Sequence, residues 1–402
     1  MQNNYHKVIT CIGLTGILLT FLFAAITNIN IWDMFIAGCG TDAYMDFFNH
    51  IKYCEIPAET YYVTHHACFP ALAYCCYYLL GRLLPSDAIV MFHADKTAPY
   101  AHLVYIIYVM ILVSILCNLI SYVLKNYKKT YVFLFEVQVL LSLSFIAGNI
   151  ERGNSSFVVL ILLLLSLVLR DSDKAIHREL ALILIAVAAG LKIYPAVFGI
   201  LYLADKKYKE SIRLIVYGVL FFFVPFIFFG GIDGLKQFVL NQITVQETCP
   251  SWLTISGLMH NALNGIVSAK ALTTIISVTR IAAGLILGVV FFKSKRQYVR
   301  LCALVSAIIL LPGWSGMYVA SYYLIPLLYY LRDENIVTDN HRKNLFAIVI
   351  NISFAMIFTL VQIGTFFSMA SIICILGCYI LPLAVCTFTI FDKSKNSRLT
   401  NG

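Results

Sequence analysis

The feature that most constrains this chain is a series of apolar runs, each long enough to cross a lipid bilayer. A helix of about 20 apolar residues spans the ~30 Å hydrocarbon core of a membrane. Because 60% of the 402 residues are hydrophobic and only 12% are charged, a water-soluble fold could not bury this much apolar surface. The long runs are Val8–Asn28, His102–Leu124, Ser211–Gly230, Val267–Phe292, Leu345–Val361 and Ser368–Phe391.

The sequence therefore predicts an all-α, polytopic integral membrane protein. Adding the shorter apolar segments, such as those near 131–146 and 157–169, gives about 11–13 membrane-embedded helices. No internal repeat and no separate soluble domain is evident, so residues 1–402 are predicted to form a single transmembrane domain.

The basic residues predict how the chain crosses the membrane. The formal charge of +9 could suggest a nucleic-acid partner, but most of the Lys and Arg residues lie in short clusters between the apolar runs. Such clusters mark cytoplasmic loops, so no nucleic-acid partner is predicted, and both termini are expected in the cytoplasm. The main clusters are Lys125–Lys129, Arg170–Arg178, Lys206–Arg213, Lys293–Arg300 and Lys393–Arg398.

This topology leaves a long first outside loop, residues 29–101. Within it, Ala67–Leu84 is apolar but short and is interrupted by Pro70, which favours a helix lying in the outer interface. A second irregular segment, residues 179–204, has two basic ends that both belong in the cytoplasm. It is too long for one span, and Pro195 interrupts it, so a hairpin of two half-helices is predicted. Broken backbone at membrane depth lines protein or a wet cavity.

Two carboxylates open the outside loop, in the stretch "GCGTDAYMDFFNHIK". Gly40-Thr41-Asp42 is typical of a helix start with Asp42 at or near the N-cap, and Asp46 follows one turn later on the same face. One interpretation is that Asp42 caps the helix and Asp46 is a solvated charge. The other is that one of them acts as a general base within a wall of aromatic side chains. Their spacing alone leaves both interpretations open.

Cationic and amide groups that suit a phosphate occur at two further places. The outside turn "NIERGNSS" carries Arg152 and Asn154 at the start of a helix, whose N-terminus attracts anions. Lys192 lies near the apex of the broken hairpin, away from the cytoplasmic charges. The alternatives are an ordinary capped turn and a lysine that snorkels to the interface. Further residues expected to line this site are Tyr44, His65, His66, Glu151, Tyr194, Trp314 and Tyr318.

No cofactor and no metal site is predicted, although a divalent cation is left open. The chain has no P-loop, no G-x-G-x-x-G on a soluble strand and no Cys/His spacing typical of a metal site. Four cysteines in the predicted outside loops could pair, with no connectivity fixed by the sequence: Cys39, Cys54, Cys68 and Cys249. An outward-facing site with a carboxylate base, cations and apolar walls suits a lipid-linked phosphate substrate.

The outside turn and the broken hairpin together resemble glycosyltransferase family 87 of the GT-C superfamily. The matching residues are Arg152-Gly153-Asn154 and Gly190-Leu191-Lys192-Ile193-Tyr194-Pro195. The order of an acidic stretch, a tyrosine and "CFPALAYCCYYLLGRLLP" is also similar to the first loop of that family. The resemblance implies a GT-C-like fold and a polyprenyl-phosphate monosaccharide as donor, commonly mannose. It further implies a catalytic Asp in the first outside loop, where Asp42 falls, with Asp46 as the second candidate.

The predicted function is therefore transfer of a hexose from polyprenyl phosphate to a lipid-linked or cell-envelope glycan, on the outer face of the cell membrane. The alternative is a transporter or flippase of lipid-linked sugars, which would also need broken helices, buried cations and an apolar entrance. Many carriers are built from structural repeats, and none is evident here. A membrane-bound acyltransferase is disfavoured, because no histidine lies in a plausible intramembrane catalytic setting.

Overall fold

The structure, a computed structural model, describes residues 4–30, 34, 41–248, 251–333, 341–361 and 369–391. Every regular element in these ranges is helical, apart from an isolated β-bridge between Asn264 and Val267. The prediction of an all-α fold is confirmed. Of the residues singled out above, Cys39, Gly40, Cys249, Ser368 and the C-terminal segment 392–402 lie outside the described ranges.

The α-helices of five or more residues are joined by turns and loops of different lengths, several of which contain short 3₁₀-helices. In chain order, the α-helices are α1 (Asn4–Thr27), α2 (Met45–Tyr53), α3 (Ala71–Gly81), α4 (Pro99–Val123), α5 (Lys129–Leu140), α6 (Ser156–Leu169), α7 (Ala175–Leu191), α8 (Ile200–Ala204), α9 (Tyr208–Phe223), α10 (Gly231–Thr248), α11 (Ile255–Leu263), α12 (Ala269–Lys293), α13 (Gln297–Leu310), α14 (Leu324–Arg332), α15 (His341–Ile357) and α16 (Met369–Phe391). The 3₁₀ turns that matter below are Tyr194–Gly199 and Met317–Tyr323.

Within the described residues, five helices are long and apolar enough to cross a membrane, and a bent pair makes a sixth candidate. Shorter apolar helices of 10–17 residues accompany them. The bounds agree with the predicted runs to within a few residues, which confirms a polytopic membrane protein. The five are Lys7–Thr27, Pro99–Val123, Tyr208–Ile227, Ala269–Lys293 and Ile372–Thr389.

Two predicted runs differ from the structure. The run near 131–146 is not one straight helix, because α5 and the segment Leu143–Ile150 meet at 56°. At the bend, the Leu143 amide donates to the Thr359 carbonyl over 3.1 Å instead of continuing the helix ladder. The run predicted as Leu345–Val361 ends its helix at Ile357, so its apolar helix is shorter than a full span.

The outer surface of the bundle is apolar. Helices α4, α9 and α12 bury only 17–22% of their most hydrophobic windows inside the protein. Their exposed side chains are large and aliphatic, among them Ile106, Met110, Ile215, Ile281 and Leu285. Apolar patches of this extent are typical of a surface that faces lipid. The core lies instead between α13, α14 and the Met317–Tyr323 turn, whose residues are almost all buried.

Loops that the charge pattern predicts to be cytoplasmic contact one another at one end of the bundle. Arg170 at the end of α6 pairs with Asp205, and Arg300 Nη1 lies 2.8 Å from the other oxygen of the same carboxylate. Lys207 Nζ lies 3.0 Å from Asp171 Oδ1. Because α6 has 14 residues, its two ends are about 21 Å apart. This basic end is therefore separated from the groups described next, which lie at the start of α6.

Candidate active site

The site is built where the acidic stretch docks on the turn that precedes α6. The Tyr44 amide donates to the Glu151 carbonyl over 2.8 Å, and the Asp46 amide donates to the Arg152 carbonyl over 3.0 Å. Gly153 makes this turn possible: its φ is +66°, and a Cβ there would lie 2.7 Å from Phe47 Cβ. Backbone pairing thus fixes the two segments against each other, although more than 100 residues separate them in the chain.

Asp42 lies near the start of α2 but does not cap it, so the capping interpretation is wrong. Helix α2 begins at Met45, and its N-cap is Tyr44, in the left-handed conformation with φ 59° and without a side-chain cap. Asp42 lies before the helix. The amides of Tyr44 and Asp46 are already satisfied by carbonyls of the neighbouring turn, so no side-chain cap is needed there. Asp42 is consequently available for another partner.

That partner is Arg152. Its Nη1 donates to Asp42 Oδ2 over 2.7 Å, its Nη2 donates to the Asp42 carbonyl, and its Nε lies 3.3 Å from Glu151 Oε2. The Glu151 side chain is 3% exposed, whereas the Asp42 side chain is 50% exposed. The guanidinium is therefore held between two carboxylates, and half of the Asp42 side chain remains accessible.

Asp46 is held by an amide rather than a cation. Asn154 Nδ2 donates to Asp46 Oδ2 over 2.7 Å, and Asn154 Oδ1 accepts from the amide and the hydroxyl of Ser156 at 3.0 and 2.7 Å. The Ser156 hydroxyl lies 3.2 Å from the Tyr194 hydroxyl, which lies 3.0 Å from that of Tyr322. A continuous hydrogen-bonded chain therefore orients the Asp46 carboxylate.

Lys192 lies in the break between α7 and the Tyr194–Gly199 turn, outside the candidate spans, with φ −147° and ψ 137°. Its side chain is 7% exposed. The Nζ atom lies 3.4 Å from the centre of the Phe69 ring and 5.3 Å from that of Tyr318. Within the described part of the chain, Nζ donates no hydrogen bond and forms no ion pair. Burial lowers the pKa of Lys192 to about 8, against the opposing effects of Cys68 and Asp46.

Some of the residues predicted to line the site pack close to Asp42, Asp46 and Lys192, and others lie on an exposed loop. Tyr44 packs on Tyr105, with ring centres 4.7 Å apart. Tyr318 contacts Lys192, and Trp314 lies behind it at 5.9 Å between ring centres. His65 and His66 form an exposed pair on the loop, with rings 4.1 Å apart. Burial and then His65 lower the pKa of His66, while Asp46 raises it. The histidine pair thus lies at the edge of the site.

Several residues of the site were missed by the sequence analysis. His50 is 5% exposed; its ring stacks on Phe69 at 3.9 Å, and its Nδ1 lies 3.1 Å from the Tyr74 hydroxyl. Its position four residues after Asp46, on the same helical face, could have drawn attention to it. Phe69 is marked in the sequence only as the residue before a proline. Tyr322 has no local signal, because it reaches Ser156 and Tyr194 only through tertiary packing.

Among the residues that the structure describes, there is neither a metal-binding cluster nor a disulfide bond. Within the described residues, no group of three or more His, Cys, Asp or Glu side chains is placed to hold a metal ion. The Cys54 thiol donates to the His50 carbonyl over 3.2 Å, and Cys39 and Cys249 lie outside the described ranges. The site thus offers carboxylates, an amide and a buried ammonium.

These features describe a polytopic helical membrane protein that carries two carboxylates, an amide and a buried ammonium around the turn before α6 and the break after α7. The model of glycosyltransferase family 87 matches residues 68–321, more than half of the 402 residues. The chain therefore belongs to glycosyltransferase family 87 and is a membrane glycosyltransferase, as the resemblance predicted. The matched segment includes Arg152, Asn154 and Lys192, whereas Asp42 and Asp46 precede it. Neither the curated proteins nor the solved structures contain a significant match.

Proposed function

We propose that this glycosyltransferase moves a hexose, such as mannose, from a polyprenyl-phosphate donor to a lipid-linked or cell-envelope glycan. The observation that carries the proposal is Lys192, a buried ammonium with no anionic partner among the described residues. A buried cation without a counter-charge is costly, and a phosphate ligand would relieve that cost. Family membership supplies the glycosyl transfer, and the unpaired cation supports a phosphate-bearing donor.

In this proposal Lys192 is the main ligand of the donor phosphate. The start of α6, at Asn154 and Ser156, adds the positive end of a helix dipole. Arg152 was also expected to bind the phosphate, but its guanidinium lies between the carboxylates of Asp42 and Glu151. We therefore assign to Arg152 the positioning of Asp42, because two flanking negative charges would oppose a phosphate at that point.

Asp42 is the proposed general base. Arg152 binds its Oδ2, and its half-exposed side chain can be reached by an acceptor hydroxyl from outside. The carboxylate removes the hydroxyl proton as the acceptor oxygen forms a bond to the anomeric carbon of the donor. The bond from that carbon to the phosphate oxygen breaks, and polyprenyl phosphate leaves with the electron pair. Asp46, held by Asn154, is the second candidate for this role.

The proposed orientation places the site on the outer face, with both termini in the cytoplasm. It is supported by the separation of the basic end, with Arg170, Lys207 and Arg300, from the start of α6. Basic loops favour the cytoplasmic side. The ligands of the proposed enzyme are thus a lipid-linked donor, which arrives through the bilayer, and a glycan or glycolipid acceptor.

The proposal is tested with the full chain in lipid nanodiscs, a radiolabelled polyprenyl-phosphate mannose and glycan or glycolipid acceptors. D42N, D46N and the double variant are compared with D87N, which changes an exposed carboxylate of the same loop. Loss of a general base is expected to reduce turnover by about 10²–10⁴-fold, while D87N stays near the wild-type rate. Substantial turnover in both single variants and in the double variant would refute the assigned base. Translocation of the donor without release of polyprenyl phosphate would refute transfer itself and favour a carrier.

A further inference from the structure

The Phe69 ring is covered on both faces. Lys192 Nζ lies 3.4 Å from its centre, and the His50 ring is stacked on it at 3.9 Å with an interplanar angle of 22°. An ammonium and an imidazole cannot both occupy the same face at these distances, because their atoms would overlap. Lys192 and His50 therefore lie on opposite faces of Phe69.

His50, on the face of Phe69 opposite Lys192, is buried and packed against other aromatic side chains. Phe69 is 7% exposed and His50 5% exposed. The His50 ring also stacks on Tyr77 at 5.4 Å, and its Nδ1 is within hydrogen-bond distance of the Tyr74 hydroxyl, at 3.1 Å. Burial, followed by the charge of Lys192, lowers the pKa of His50 well below its ordinary value. At neutral pH the imidazole is thus uncharged and offers Phe69 a flat, neutral support.

An aromatic face differs from a carboxylate as the partner of a buried ammonium, and the difference has a specific consequence. A carboxylate in its place would form an ion pair, neutralise Lys192 and compete with any anionic ligand. The negative face of a ring attracts the cation and leaves its full charge in place. It contacts one side of the ammonium only, so the remaining N–H donors can point toward a ligand.

We propose that Phe69, supported by His50, is a positioning residue that holds the Lys192 ammonium toward the donor phosphate. The inference rests on the proposed function, since it presumes that a phosphate binds at Lys192. Phe69 itself touches neither the sugar nor the phosphate in this arrangement. Its contribution is to fix the position of Lys192 before the donor arrives, which spares the ordering of a long side chain on binding.

The test is binding of farnesyl phosphate, a short polyprenyl phosphate, to the full chain in detergent, measured by isothermal titration calorimetry. F69L should weaken binding about tenfold, and F69Y, which keeps an aromatic face, should restore it to within about twofold. F226L is the matched control, because Phe226 is also a buried ring, stacked on Tyr61 at 5.6 Å. It should bind like the wild type.

A double-mutant cycle then asks whether Phe69 acts through Lys192. In the K192M background, F69L should change the affinity by less than about twofold, because the group that it positions is gone. Equal losses from F69L in both backgrounds, a loss no larger than that of F226L, or tighter binding by F69L would overturn the inference. A wild-type protein that does not bind farnesyl phosphate would instead refute the proposed function, so the two failures are distinguishable.

Discussion

Replacing Lys192 with methionine is expected to make the protein more stable and less active at the same time. Burial lowers the pKa of this ammonium from its ordinary 10.5 to about 8. That difference corresponds to a cost of about 3 kcal/mol for carrying the charge in the folded state at neutral pH. Methionine has a similar shape and no charge, so the variant avoids this cost.

The gain is reduced by the lost attraction between Lys192 and Phe69, which at 3.4 Å and in a desolvated setting is worth about 2 kcal/mol. The expected net effect of K192M is therefore an increase of about 1 kcal/mol in the free energy of unfolding at pH 7. Denaturant unfolding in detergent, with K192R as a variant that keeps the charge, measures it. K192R should not be stabilised.

The pH dependence of this effect has a definite sign. The pKa of Lys192 is lower in the folded than in the unfolded chain, so the folded state is penalised fully below pH 8. Between about pH 8 and 10.5 the unfolded chain still binds the proton and the folded chain does not, so wild-type stability rises with pH there. The stabilisation by K192M should therefore shrink and disappear over this interval.

Activity should change in the opposite direction. A charge-assisted hydrogen bond to a phosphate contributes about 1.5–3 kcal/mol, so K192M should lower kcat/KM for the donor by about 10- to 150-fold. Transfer of radiolabelled mannose in nanodiscs, at several donor concentrations, checks this. A K192M protein that is less stable than the wild type and transfers sugar normally would show that Lys192 is a structural residue and would refute the reasoning.

Binding of farnesyl phosphate should weaken as the pH rises through about 8, because Lys192 loses its proton there. The K192R variant should retain binding to higher pH. Calorimetry at fixed ionic strength measures both affinities. Gly153→Ala should destabilise the protein by about 1–3 kcal/mol and reduce transfer, because Gly153 has φ +66° and its Cβ would clash with Phe47; normal transfer would contradict this. Arg170→Leu should cost about 1.5–3 kcal/mol of stability, because Asp205 loses one charged hydrogen-bond partner and keeps Arg300. The KM for donor should be unchanged in that variant, since Arg170 lies about 21 Å from the site.

The sequence predicted the family because its diagnostic residues are close together in the chain. Arg152-Gly153-Asn154 and the block that ends at Pro195 are local patterns, and each lies inside the segment that matches the family. The sequence also indicated which polar groups needed an explanation, because charges at membrane depth are rare. It could not indicate what each of them contacts.

The role of Asp42 shows why. Local spacing left open whether Asp42 caps a helix or acts as a base. The partner that the structure gives it is Arg152, 110 residues away, and the amides that a cap would satisfy are bound by carbonyls of the same distant turn. The same contact occupies Arg152, which the sequence presented as a phosphate ligand. The sequence around Lys192 could not show that it contacts the ring of Phe69. Nor could it show that Lys192 has no anionic partner among the described residues.

By itself, then, the sequence determined the all-helical architecture, the main spans and the family. These follow from the length of apolar runs measured against the thickness of a bilayer and from patterns a few residues long. Only the tertiary structure decided which carboxylate contacts a cation, which contacts an amide, and which buried cation forms no ion pair among the residues that the structure describes. The physical reason is that ion pairing and burial depend on groups brought together by packing across more than 100 residues, whereas hydropathy is a property of each segment alone.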